Sequence, residues 1–291
     1  MRRPQTGILL LLCFALFLSS CGPSGPTPPK MGTPEWYLTA AREQFGKGDL
    51  IKTQEHLEKV MVSDNYRARA VTWYLVLLEG MASGHRELAE AYDEGSTQTK
   101  TQAAEFRRTV NDARRFSKQY CIALAQELGR FQKESSGSNE VALEFQFPLG
   151  NVAEDVSLGR IRKGMLPPDS ERAAAQRTTV ARGVLLATAS AVGAGEDTAK
   201  ASEMFKTQPV KVGRVVFLLG MAENLVDESK VFDRKRLNEP EMKKKLLEMA
   251  SDCAKPAAES DDAGLKKRAK ALADKIAKEQ KGDTQKSGSR R

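Results

Sequence analysis

Residues 34–50 read P-E-W-Y-L-T-A-A-R-E-Q-F-G-K-G-D-L, and the punctuation of this stretch decides the fold. Pro34 suits the first turn of a helix, with Thr33 placed to cap it. Lys47-Gly48-Asp49 then breaks the pattern, and Asp49 can cap a second helix with an apolar stripe of Leu50, Leu57, Val60 and Met61. The pattern predicts a third helix from about Arg67 to Ala82. Ser83-Gly84-His85 reads as its stop, with a short helix following to Asp93.

The two pairs share a spacing. Gly48 and Gly84 are 36 residues apart, as are Tyr37 and Trp73, and Thr53 and Ala89. A helix-turn-helix period of that length marks a stacked repeat. Residues 34–95 resemble tetratricopeptide repeats, with Gly48-Asp49-Leu50 and Trp73 as the best matches. They depart from that pattern at Gly84-His85, which replaces Gly-Asp, and at Thr53, which replaces a small Ala. No proline closes either unit. A plain pair of helical hairpins fits the same residues. The resemblance implies a concave surface lined by the first helices, where Arg42 and Tyr74 would face a protein partner. In either case a hairpin cannot bury its stripe alone and must stack on a neighbour.

The next helix supplies that neighbour. From Thr97 to Lys133 no proline intervenes, and Phe106, Val110, Ala113, Phe116, Tyr120, Leu124, Leu128 and Phe131 recur at spacings of three and four. Arg107, Arg108, Arg114, Arg115 and Lys118 mark the opposite, solvated face. The expected fold class is all-α: tetratricopeptide-like hairpins on a long helix, followed by a C-terminal helical bundle. The repeat region covers 34–134 and an irregular connector 135–168. In the connector, Val141, Leu143, Phe145 and Phe147 alternate, which reads as an extended segment pressed onto the helices. A bundle fills 169–280, with helices to about Val192, from about Val210 to Lys230, after Asn238 as a cap, and through Leu265, Ala269, Leu272 and Ile276. Residues 281–291 read as a disordered basic tail.

Charge is unevenly placed. The chain of 291 residues has 46 Lys and Arg against 38 Asp and Glu, a net +8. Arg2 and Arg3 account for two of these charges. From Lys255 onward there are 11 basic and 6 acidic residues, so the body between is close to neutral. That argues against a nucleic-acid-binding body.

The basic start continues into Ile8–Leu18, an uncharged apolar run well short of the ~20 residues that span a bilayer. Leu18-Ser19-Ser20-Cys21 follows, and this resembles the lipobox of bacterial lipoproteins. The resemblance implies a signal peptide over 1–20, cleavage between Ser20 and Cys21, a diacylglyceryl group on the Cys21 thiol and acylation of the new amino group. Three chains of about 15 methylenes at ~0.8 kcal/mol each give an upper figure of roughly 35 kcal/mol for burial in the membrane. An uncleaved anchor and an ordinary secretory cleavage are the competing readings. Gly22 after the cysteine implies, by analogy with enteric lipoproteins, an outer-membrane protein facing the periplasm. The Pro/Gly-rich stretch 21–33 reads as an extended tether.

Searching for chemistry yields little. His56 and His85 are the two histidines, neither in a zinc motif; His56 reads as a surface residue and His85 as part of a turn. There is no GxSxG, no SxxK and no phosphate-cradling GxxxxGK[ST] loop. Cys121 and Cys253 could form a bridge or remain buried thiols. No cofactor, metal or catalytic residue is expected. The leading expectation is a lipid-anchored envelope scaffold that docks another protein. Binding of an anionic envelope polymer through the basic tail is the alternative, and an enzyme is the least supported reading.

Overall fold

The computed structural model describes residues 28–148 and 156–285. Ser20, Cys21, the signal segment, most of the tether and the last six residues lie outside the described part. Ten helices and a two-stranded sheet make up the fold among the described residues.

The first hairpin is built as its sequence dictates. Helix α1 (Pro34–Gly46) starts with the Thr33 side chain accepting from the Trp36 amide. Gly48, at φ +74°, turns the chain in a conformation that suits glycine. Helix α2 (Leu50–Met61) is capped by Asp49, whose Oδ1 accepts from Lys52 N at 3.1 Å. Leu38, Ala41 and Phe45 of α1 and Thr53, Leu57, Val60 and Met61 of α2 are buried.

The second hairpin does not exist. Helix α3 runs unbroken from Asp64 to Gln98, through Ser83, Gly84 and His85, a length of roughly 50 Å. The glycines have another purpose. A Cβ at Gly84 would lie 2.5 Å from Val180 Cα, and one at Gly80 would lie 2.2 Å from Val184 Cα. Both contacts fall on helix α6 (Asp169–Ala191), whose own Gly183 faces Gly80 O at 2.2 Å by the same measure. Three glycines thus let the two backbones cross, and Gly84 is a packing residue inside a helix rather than a stop.

Helix α4 (Ala103–Glu134) returns along α3 after a short link. Its buried stripe is Phe106, Val110, Ala113, Ser117, Cys121, Leu124, Leu128 and Phe131. Ser117 and Cys121 take the centre expected of Phe116 and Tyr120, which flank the stripe. Arg67 at the start of α3 is buried and fastens the far end of α4, with Nη2 2.8 Å from Glu127 and Nε 3.0 Å from Glu134.

Strand β1 (Glu140–Leu143) pairs antiparallel with β2 (Val210–Gly213), Glu140 opposite Gly213 and Leu143 opposite Val210. The expected extended segment therefore has a strand partner, and β2 takes the first residues assigned above to a helix from about Val210. After β1, Phe145 stacks on Trp73 at 5.7 Å and meets Phe45 and Phe205 edge-on or tilted. Helix α5 (Val156–Arg162) lies under the far end of α3, and the short α7 (Thr198–Met204) precedes β2. Helix α8 (Arg214–Ser229) is buried on most sides, and Gly220 packs against Ser190 of α6. Helices α9 (Pro240–Glu259) and α10 (Ala263–Gln285) close the bundle. Glu239 rather than Asn238 precedes α9, with no side-chain cap bond, and Asn238 has φ +57°. No helix among the described residues is long and apolar enough to cross a membrane.

Candidate functional site

Arg42 and Tyr74 do not share a surface. Arg42, half-buried on α1, donates from Nη2 to the Glu144 carbonyl at 3.4 Å, and the same nitrogen is 3.9 Å from Glu144 Oε2. Arg69 of α3 takes that carboxylate more closely, Nε to Oε2 at 2.9 Å. Two guanidinium groups therefore share one acid. Burial and then the Arg69 charge lower the Arg42 pKa, with Glu144 opposing. They line an open depression of about 440 Å³ with Phe145 and Pro209. Tyr74, in contrast, is 6% exposed, and its hydroxyl donates to Glu58 Oε1 at 3.2 Å. Burial first, then Glu58, raises its pKa. It is an interior residue between α2, α3 and α4.

His85 is likewise interior, which corrects its expected place in a turn. It lies on α3 and packs against the rings of Phe116 and Tyr120, at 5.3 and 5.4 Å. Its Nδ1 is 2.8 Å from the Met81 carbonyl, an acceptor only, so the proton sits on Nδ1. Nε2 is left to accept from the Gln176 amide at 3.4 Å. Burial lowers the imidazole pKa against that backbone hydrogen bond, so the ring is neutral. The ring borders a cleft of about 400 Å³ between the α1–α2 turn and α6, with exposed Ile51 on its rim. Among the described residues no hydroxyl or thiol lines this cleft. His56 is half-buried against Trp36 and Tyr37.

A second cleft, of about 290 Å³, opens where α3, α6 and α8 cross. Sequence motifs did not reveal it. Glu79 of α3 and Glu228 of α8 are both 1% exposed there. Glu228 Oε1 accepts from Arg86 Nε at 3.0 Å. Glu79 Oε1 accepts from the Asn224 amide, with no cation beside it among the described residues. The Oε2 atoms of both acids have no hydrogen-bond partner among the described residues. Burial, then Glu228 and Glu223, push the Glu79 pKa well up. Burial also raises Glu228, with Arg86 pulling the other way. Arg86 itself is held protonated by Glu228 and Glu90 despite its burial. One signal was available: Glu79 interrupts W-Y-L-V-L-L-E-G-M, a run apolar on all sides of a helix, where any charge must be buried.

Cys121 and Cys253 are free and buried rather than bridged. Burial pushes the Cys253 thiol up to about 12 and raises Cys121 as well, so neither is a reactive thiolate. Among the described residues no three His, Cys, Asp or Glu side chains converge to hold a metal ion. No family model, no curated protein and no solved structure matches the chain.

Proposed function

We propose that the protein is a lipid-anchored envelope scaffold, held at the outer membrane by acyl chains on Cys21, whose helical body docks an acidic segment of another protein. Anchoring is supported by Leu18-Ser19-Ser20-Cys21 and the Pro/Gly-rich residues that follow. The observation that carries the docking is the depression around Arg42. Two guanidinium groups sit over one carboxylate there, leaving a positive charge unmatched in a partly desolvated site. A partner carboxylate reaching both arginines would complete the pairing, and such charge-assisted contacts are strong. The test is photo-crosslinking in intact cells from a probe at position 146, beside the arginines. One discrete adduct is expected, lost when Arg42→Glu and Arg69→Glu are combined. An adduct pattern indifferent to that charge reversal refutes the reading.

The exposed lysines of α10 favour a second reading. Lys266, Lys267, Lys270 and Lys278 are exposed, with no ion pair to any described residue. Such a surface would hold an anionic envelope polymer in a salt-sensitive manner. Binding of that kind should vanish when Lys266, Lys267, Lys270 and Lys278 are changed together to Glu, and survive the arginine reversals.

A further inference from the structure

Strand β2 is paired on one side only. The register with β1 sets Val141 opposite Val212 and Ala142 opposite Lys211. The ladder extends one step further, where Arg214 N donates to the Asn139 carbonyl at 2.8 Å. Facing residues of an antiparallel pair alternate between bonded and non-bonded. Counted from the Asn139–Arg214 bond, Val212 and Val210 turn their peptide groups to β1, while Lys211 and Gly213 turn theirs away. The same alternation directs the Ala142 and Glu144 carbonyls away from β2, and both are taken. Thr72 Oγ1 donates to the first at 2.8 Å and Arg42 Nη2 to the second at 3.4 Å.

The outer side of β2 has no such cover. The Lys211 N–H and C=O and the Gly213 N–H have no hydrogen-bond partner among the described residues. Apart from β1 and α8, which continues directly from β2, no described helix or strand packs extensively against it. Lys211 is exposed, and its ammonium makes no ion pair with any described residue. An open edge of this kind is a template for a further strand.

The two faces of β2 specify what that strand carries. Val210 and Val212 are buried on one face, and Lys211 is exposed on the other. Side chains of an added strand alternate in step and pair with those beside them. Apolar residues would extend the valine face, and acidic ones would meet Lys211. A second copy of this chain is a poor occupant. The reciprocal antiparallel register that uses both Lys211 peptide groups sets two ammonium groups opposite each other, and like charges so placed repel.

We propose that the outer edge of β2 takes an extended segment of another protein, alternating acidic and apolar residues, as a third strand. The inference rests on the docking of an acidic segment beside Arg42 and gives that segment its conformation. Pro209, which leads into β2, also lines the arginine depression, so the edge and the depression adjoin.

The test uses the full-length protein in neutral detergent micelles and a fluorescent octapeptide of alternating glutamate and valine, followed by anisotropy. A glutamate–proline octapeptide of the same charge is the control, because its prolines remove strand donors. Saturable binding of the first peptide alone is expected, with slowed hydrogen exchange at the Lys211 amide. Lys211→Pro deletes the outward N–H without removing a bond to β1, whereas Lys211→Thr keeps it. Both lose the charge, so their difference isolates the N–H, and the proline variant should bind roughly fivefold or more weakly. Thermal unfolding checks that both variants fold, and the exchange measurement on the parent needs neither. Four results overturn the proposal: no binding of the glutamate–valine peptide, equal binding of both peptides, unchanged Lys211 exchange at saturation, or a dimer of the protein that Lys211→Pro abolishes. Binding that falls with the combined Arg42→Glu and Arg69→Glu reversal but not with Lys211→Pro ends the strand and leaves the depression. The converse ends the depression and leaves the strand.

Discussion

Replacing Gly183 by Ala tests the crossing that holds the two halves together. A Cβ at Gly183 would lie 2.2 Å from Gly80 O and 2.9 Å from Gly84 N. Both are backbone atoms of α3, so no rotamer change relieves the overlap. Ordinary contact begins near 3.4 Å, which requires α3 and α6 to part by about 1 Å. A gap of that size forfeits up to about half of each dispersion contact. On the order of 50 atom pairs at ~0.15 kcal/mol would then lose about 3 kcal/mol. Alanine returns ~1 kcal/mol over glycine within a helix, leaving a net loss of about 2 kcal/mol, a usual figure for an overpacked core. Gly46→Ala is the matched control, because a Cβ there meets nothing within 4 Å, and it should be neutral or slightly stabilising. Urea unfolding followed by far-UV circular dichroism reads both, with the slope unchanged and only the midpoint moving. A Gly183→Ala midpoint equal to the parent's would refute the argument that the glycines exist for close backbone approach.

The other predictions are briefer. Cys21→Ala should move the protein from the membrane fraction to the soluble or precursor pool; retention in the membrane at mature size would remove the anchor. Arg67→Met should lower stability by about 2 kcal/mol, less than for a fully buried pair because Glu127 and Glu134 keep some solvent; an unmoved urea midpoint would show that the arginine is dispensable. His85 is buried neutral with its folded pKa below the unfolded 6.5. Its contribution is therefore complete above pH 6.5 and is lost as pH falls below it, because the unfolded chain takes up the proton first. His85→Phe, which keeps a ring against Phe116 and Tyr120, should flatten that part of the stability–pH curve, and an identical acid slope in both proteins would contradict the burial argument.

The first hairpin was legible because its signals are local. Thr33, Pro34, Gly48 and Asp49 each act on the three or four residues beside them, and no distant contact can overrule all four. Gly84 misled for the opposite reason. A glycine within a helical pattern reads as a stop, unless another backbone occupies the space its side chain leaves empty. Here that backbone comes from Gly183 and Val180, far along the chain. The stripe of α4 was misread by one position at its centre because large apolar residues draw the eye. The small Ser117 and Cys121 take the buried positions there, and Phe116 and Tyr120 are displaced to pack against His85. Strand β2 could not be distinguished from a helix start, since four residues of V-K-V-G carry no period without knowledge of β1.

The same physics separates the legible from the hidden parts of the sites. Tyr74 was assigned outward only through a repeat register. With α3 unbroken that register has no second turn to define it, and the residue lies inside. Arg42 needed no register to reach solvent, but its pairing with Arg69 across Glu144 depends on where the chain runs after β1. Glu79 and Glu228 form no motif, because they lie on different helices far apart in the chain. Adjacent acids on a helix point apart, whereas acids on two crossing helices can share one cleft. A more productive rule starts from the helix rather than the motif: where a run is apolar on every side, a charged residue within it is buried and must find a partner. Applied to W-Y-L-V-L-L-E-G-M, the rule selects Glu79, whereas Glu228 lies beside Asp227 in L-V-D-E-S, at the end of its apolar run, and is not distinguished from it. What it cannot supply is their meeting, because that is made by the approach of α6 to α3 at Gly183 and to α8 at Gly220.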